Sequence, residues 1–286
     1  MKKHALPVLV CWLLIHQTVM AEDDSSPLKA NGQQVKIFVL TGQSNSLGTT
    51  ADSKEPDITP GQDARDAQIP FFWANRSSRS GDGAAKLYDD SGGRIVTLRA
   101  QKGDGANPLF WGPEIGFARH LAANGMKDFL VIKASRGGGG NSYWMKGGRD
   151  DHMYHHVIET VQQAVKALPQ GVTFEIAALL YIQGESDSPA EAAVSGERLR
   201  LFAENLRKDL PNATAMKVII GGIASGGEKS DVVRAGQSAL ATNDPTFRYI
   251  DTLDLRGQRY DNLHFSKGAK LEIGRRMAGA WLKWSK

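Results

Sequence analysis

The 286-residue chain carries 35 lysines and arginines against 31 aspartates and glutamates, a formal charge of +4. A balance this even, with no basic run interleaved with aromatics, argues against a nucleic-acid partner. Its one cysteine, Cys11, falls in the first twenty-one residues, so the rest of the chain has no disulfide, no cysteine nucleophile and no cysteine metal ligand.

Those first residues read as an export signal. Lys2 and Lys3 give a positive start, Ala5 to Ile15 is apolar but too short to span a bilayer, and Val19-Met20-Ala21 ends on a small residue. Residues 1–21 are therefore expected to be removed from a secreted or periplasmic protein with no further membrane contact. A retained N-terminal anchor is the alternative. Removal leaves 33 basic against 31 acidic residues. Residues 22–34 are polar and read as a disordered leader. The remainder, 35–286, is long enough to bury one large core, and no linker or repeat divides it.

In chain order, Ile37 to Leu40 is an apolar run that stops at Thr41-Gly42 and reads as a buried strand, with polar Gln43, Ser44, Asn45 and Ser46 at its end. Residues 49–109 hold four prolines and little helical periodicity. They form an unusually long insert, expected to wall or cover the turn at Ser44, with short strands at Phe71–Trp73 and Ile95–Leu98. Regular alternation follows. Pro113 and Glu114 open a helix that Asn124-Gly125 ends. Phe129–Ile132 is a strand, and a helix of about Asp151 to Leu168 follows the glycine run 137–140. Phe174–Ile182 is a strand. Ser188-Pro189-Ala190-Glu191 is a capping box that starts a single helix to Leu210. Then come a strand at Val218–Ile220, a helix at Asp231–Ala241, a strand at Phe247–Ile250 and a last helix capped by Ser266. Strands alternating with helices predict a three-layer α/β/α fold, a flavodoxin-like doubly wound parallel sheet of five strands.

In such a sheet ligands bind beyond the carboxyl ends of the strands. Four loops open there. Ser44 follows the first strand and is the candidate nucleophile. It needs a base, and a base needs an orienting acid. His264 follows the fifth strand, and Asp261 lies three residues before it, so one turn brings carboxylate and imidazole together. Glu185, after the third strand, is the competing acid, although Glu185 and Asp187 also read as helix-start carboxylates. Backbone N–H groups of Ser44 and of the glycines that open the run at Gly137-Gly138 are candidate oxyanion donors, with the amide of Gln183 beside them. Gln43, Asn45 and Trp144 are candidate substrate contacts, as is Glu185. Gly236-Gln237-Ser238 repeats the triplet around Ser44 but lies within a helix. The flanks of Ser44 lack the second glycine of an α/β-hydrolase elbow.

Two other classes compete. His152 and His156, four apart with His155 between them, have zinc-like helical spacing, which would suit a metal-dependent hydrolase. Trp73, Trp111, Tyr143 and Trp144 would suit a non-catalytic sugar-binding protein.

Five blocks occur in order along the chain: Gly42-Gln43-Ser44-Asn45, Trp111-Gly112-Pro113-Glu114, Gly137-Gly138 before Trp144, Gln183-Gly184-Glu185-Ser186-Asp187, and Asp261-x-x-His264. Together they resemble the sialate O-acetylesterase-like group of the SGNH hydrolases, near family six of the carbohydrate esterases. The resemblance spans nearly all of the chain after its first residues. It implies metal-free and cofactor-free removal of acetyl groups from an acetylated carbohydrate, such as xylan or sialic acid, with no protein partner indicated. It also implies a Ser44, His264, Asp261 triad, with Ser44 and Gly138 N–H groups in the oxyanion hole. The chain departs from the group at Gln183, where SGNH enzymes generally carry an asparagine donor. Further departures are Tyr181 for a frequent tryptophan, Gly139 for Ser or Thr, and Asn262 for Gly.

Overall fold

The computed structural model describes residues 27–29, 32–49, 63–76, 87–103, 109–147 and 152–284. The expected signal, most of the leader and part of the 49–109 insert lie outside them. Among the described residues no helix is long and apolar enough to cross a membrane.

The first strand, β1 (Gln34–Gly42), runs straight into a one-turn helix, α1 (Ser44–Leu47). The insert then supplies β2 (Pro70–Arg76), β3 (Leu87–Asp90), β4 (Val96–Thr97), β5 (Gln101–Lys102) and β6 (Leu109–Phe110). Helix α2 (Pro113–Ala123) precedes β7 (Phe129–Ser135), and α3 (His152–Lys166) precedes β8 (Thr173–Ile182). Helices α4 (Pro189–Ala193) and α5 (Ser195–Asp209) lead to β9 (Lys217–Gly221). Helix α6 (Glu228–Asn243), β10 (Phe247–Ile250) and α7 (Lys267–Trp284) complete the chain.

The main sheet runs β10-β9-β8-β1-β7-β2-β3, with β4 on β2. The five expected strands appear in the order second, first, third, fourth, fifth, which is the flavodoxin-like order, and all pair in parallel. The insert corrects the strand count. Strand β2 is a sixth parallel strand, in register Phe71↔Val131 to Trp73↔Lys133 with β7, and β3 and β4 pair antiparallel to it. Phe71, Phe72, Trp73 and Ala74 are all buried, so β2 is covered on both faces like any interior parallel strand. The single helix expected from Ser188 to Leu210 is broken at Val194 (φ −117°, ψ 16°), although its capping box forms as expected. The break lets Ser195 Oγ donate to the Val233 carbonyl of α6.

Alternating side chains of β1 feed two cores. Val35, Ile37 and Val39 pack under α3 and α5 with Val157, Val161, Leu199 and Phe202. Phe38 and Leu40 pack under α2 and α7 with Ile115, Phe117, Ile273 and Met277. Each fully buried side chain of this kind contributes roughly 1.5–3 kcal/mol. With β1 central and packed on both faces, the turn at its carboxyl end has a rigid base. The neighbouring strands β7 and β8 are reached by crossovers running in opposite directions, so that turn sits where the strand order switches.

Candidate active site

The turn after β1 is sewn to both neighbours. The Gln43 N–H donates to the Ile182 carbonyl of β8, and the Arg136 N–H after β7 donates to the Gly42 carbonyl. Gly42 has φ +144°, and a Cβ there would lie 1.9 Å from the Ile182 oxygen, so only glycine allows β8 to approach this closely. Two buried lysines hold the far end of α1: Lys133 Nζ donates to the Leu47 carbonyl at 2.8 Å and Lys270 Nζ to the Thr49 carbonyl at 2.6 Å. Cations at a helix C-terminus satisfy carbonyls that have no helical partner.

Ser44 opens α1 and is 6 % exposed. Its Oγ lies 2.9 Å from His264 Nε2, and His264 Nδ1 lies 2.7 Å from Asp261 Oδ2. A carboxylate accepts, so Nδ1 carries the proton and Nε2 is the acceptor for the serine hydroxyl. Asp261 is itself fixed, because its Oδ1 accepts the backbone N–H groups of Leu263 (2.7 Å) and His264 (2.6 Å). Partial burial works against its ionisation, but the bonds from His264 and Leu263 outweigh that and hold its carboxyl below the usual range. Tyr260 stacks on the imidazole, 5.5 Å between centroids at 14°. Gly138, on the same edge beyond β7, has φ +63°. Among the described residues, neither its N–H nor that of Ser44 has an acceptor within the chain.

A hydroxyl, an imidazole of fixed tautomer and an orienting carboxylate, beside unspent backbone donors, can carry out acyl transfer. The model of the family described as carbohydrate esterase, sialic acid-specific acetylesterase matches residues 34–283. The chain belongs to this family. It is thus a carbohydrate acetylesterase, a carboxylic ester hydrolase. None of the curated proteins matches it. Solved structures share its fold. A protein from Arabidopsis thaliana is 24 % identical over 88 % of this chain and 99 % of its own, with a TM-score of 0.62. A carbohydrate acetylesterase from Xanthomonas citri is 18 % identical over 85 % of this chain and 54 % of its own, with a TM-score of 0.61. NanS is 16 % identical over 90 % of this chain and 99 % of its own, with a TM-score of 0.54.

Other expected site residues of the esterase stand elsewhere. Gln183 is fully buried and its amide is spent. Nε2 donates to Asp187 Oδ1 at 2.6 Å and to the Gly139 carbonyl at 3.4 Å, while Oε1 accepts from Tyr181. It therefore has no N–H to give an oxyanion. Trp144 is 1 % exposed, bonded to Thr41 and set edge-on to Tyr181, so it is core and not a sugar platform. Gln43 and Asn45 are equally buried; Gln43 Oε1 accepts from the Ser186 N–H, and neither side chain offers an exposed contact. Trp73 and Trp111 are buried too, and Tyr143 carries the Arg136 guanidinium 4.1 Å from its ring centroid.

Glu185 does not touch His264. It is buried and accepts from Asn45 Nδ2 at 2.6 Å. Nor are Glu185 and Asp187 helix-start carboxylates, because the helix cap is Ser188 and both acids turn inward. Burial raises Glu185 to about 7 against the bond from Asn45, and Asp187 to about 6 against bonds from Gln183 and Asn141. Asp187 accepts both the backbone and the side-chain N–H of Asn141, each at 2.8 Å, and so ties down the loop that carries Gly138.

The histidine cluster does not converge. His156 is buried with Nε2 on the Ala74 carbonyl at 2.8 Å, and burial, then the Arg76 charge, lowers it to about 4. Among the described residues no three His, Cys, Asp or Glu side chains gather as a metal site. Ser238 lies within α6, as its helical context predicts. A groove of about 880 Å³ between α6, β10 and α7 contains none of the Ser44 constellation.

The sequence reading missed the support of the site. Lys133 donates to Glu114, Gln101 and Leu47 with no exposed surface, and Glu114, expected only as a helix-start acid, is its buried counter-ion. One signal was available, since a lysine inside the apolar run Phe129–Ala134 has to be paired if that run is a buried strand.

Proposed function

We propose that the chain removes O-acetyl groups from a carbohydrate through an acyl-enzyme on Ser44. The observation that carries this is the continuous relay from Ser44 Oγ to His264 Nε2 (2.9 Å) and from His264 Nδ1 to Asp261 (2.7 Å). His264 takes the hydroxyl proton as Ser44 attacks the acetyl carbonyl. The N–H groups of Ser44 and Gly138 receive the oxyanion, without Gln183. His264 returns the proton to the departing sugar hydroxyl, and Asp261 balances the imidazolium formed between those steps. Water then attacks the acetyl-serine by the same route and acetate leaves. Asp261, not Glu185, is the orienting acid, because it already holds the imidazole, its own orientation fixed by two backbone donors.

The substrate is an acetylated polysaccharide such as xylan, or an O-acetylated sialic acid. The test is acetate release from a panel of both kinds, with Ser44→Ala as the blank. Release equal in enzyme and blank would refute the reading. Export rests on Lys2, Lys3 and the apolar stretch after them. The exported protein should begin near Glu22 by N-terminal sequencing, and one that still begins at Met1 would contradict this.

A further inference from the structure

The buried Asn45 amide touches both residues that flank His264. Nδ2 donates to the Leu263 carbonyl at 3.1 Å, and Oδ1 accepts the Phe265 N–H at 2.9 Å. Asn45 is also the residue after Ser44, so one side chain fixes the separation between the serine turn and the histidine loop. An amide can be rotated by half a turn with little change in shape. Here the rotated form would set oxygen against the Leu263 oxygen and nitrogen against the Phe265 N–H. The second hydrogen on Nδ2 goes to Glu185 Oε1 at 2.6 Å, which adds to the Leu263 and Phe265 contacts in favouring the working orientation and anchors the amide from its far side. Glu185 is anchored in turn: Lys229 Nζ donates to its carbonyl at 3.0 Å, and the Ser186 N–H beside it donates to Gln43.

We infer that Glu185 is a positioning residue of the esterase, acting through the Asn45 amide to set the His264 loop against Ser44. The inference rests on the function proposed for Ser44 and His264. It assigns Glu185 neither the orienting role of Asp261 nor a contact with substrate. A displacement of about 1 Å at a reacting group costs on the order of 10²-fold in rate. His264 serves both acylation and deacylation, so its displacement lowers kcat and leaves KM nearly unchanged. Only an acceptor facing Asn45 is required, and a glutamine Oε1 supplies one as well as a carboxylate does.

The experiment measures kcat and KM on an aryl acetate for Glu185→Gln, Glu185→Leu, Asn45→Ala, the two double variants Glu185→Leu/Asn45→Ala and Glu185→Gln/Asn45→Ala, and Ser44→Ala. Thermal melts establish that each is folded. Glu185→Gln should keep kcat within about 3-fold, whereas Glu185→Leu should lose about 10²-fold with KM within about 3-fold. Asn45→Ala should lose a similar amount, and either substitution at Glu185 should add little to it, because the two residues act as one unit. If Glu185→Leu does not fold, Glu185→Met, which likewise removes the acceptor, takes its place in the single and double variants.

Glu185→Gln as slow as Glu185→Leu, a large rise in KM, losses that add fully in the double variants, or wild-type kcat in Asn45→Ala would each overturn the positioning role alone. Turnover surviving in Ser44→Ala would overturn the proposed nucleophile, and the role of Glu185 with it.

Discussion

Ser44 and His264 stand 220 residues apart in the chain and 2.9 Å apart in the fold. They meet because β1 and the segment after β10 both end on one edge of a parallel sheet, and because Asn45 and Asp261 fix the two short turns that carry them.

The first expectation concerns Ser44. Removing its Oγ takes away the nucleophile but touches no backbone bond of α1, so Ser44→Ala should fold normally and lose at least ~10³-fold in turnover. Initial rates on an acetyl ester, alongside a thermal melt, check this. A well-folded variant with near wild-type rates would remove Ser44 from the mechanism.

The second concerns the acid. Asp261→Asn keeps the shape of the turn but sets an amide beside His264 Nδ1. That favours the wrong tautomer and should lower kcat by up to ~10⁴-fold. Combined with Ser44→Ala it should add little, since triad members act as a unit. Steady-state kinetics of the two single variants and the double variant would show this, and an Asp261→Asn enzyme of nearly full activity would return the role to another acid.

The third concerns pH and stability, where buried Glu185, with buried Asp187 acting in the same direction, opposes buried His156. Glu185 sits at about 7 in the folded protein against an ordinary 4.5. Between those values the unfolded chain has released the proton and the folded protein keeps it, so this contribution is lost as pH rises. His156 sits at about 4 against 6.5. Between those values the unfolded chain binds a proton that the folded protein does not, so its contribution is lost as pH falls. The windows overlap and partly cancel in the wild type. Relative to it, Glu185→Gln should gain in Tm as pH rises through that range, and His156→Gln should gain as pH falls. Melts from about pH 4 to pH 8 read both, and differences that stay flat with pH would contradict the assignment.

A fourth concerns the floor of the site. Lys133→Met leaves Glu114, Gln101 and the Leu47 carbonyl facing no cation in a dry interior. The expected loss is about 3–5 kcal/mol by urea unfolding, with much of it recovered in Lys133→Met/Glu114→Gln. A loss below about 1 kcal/mol for the single variant would mean that the pair does not hold the turn.

Some of this is written in short stretches of sequence. The apolar run before Thr41-Gly42, the capping box at Ser188 and the alternation from Pro113 onward specify strands and helices from local pattern alone, and with them the doubly wound order. Asp261 and His264 were legible as a pair because one turn of chain sets their distance. Phe71–Trp73 was legible as a strand but not as a sixth member of the sheet, since pairing with β7 joins residues about sixty positions apart and leaves no local pattern.

Only the tertiary structure decided what the buried polar side chains do. Gln183, Glu185 and Trp144 stand in the blocks that resemble the family, Gln183 expected as an oxyanion donor, Glu185 as a competing acid or substrate contact and Trp144 as a substrate contact. Packing turned all three inward, where Asp187, Asn45 and Thr41 take up their hydrogen-bonding groups. Lys133 and Glu114 likewise lie nineteen residues apart and reveal their pairing only when β7 and α2 pack together. The physical reason is common to all of them. Hydrophobic periodicity is local and can be read along the chain, whereas the partner of a buried polar group is chosen by whichever distant segment the fold brings within three ångströms.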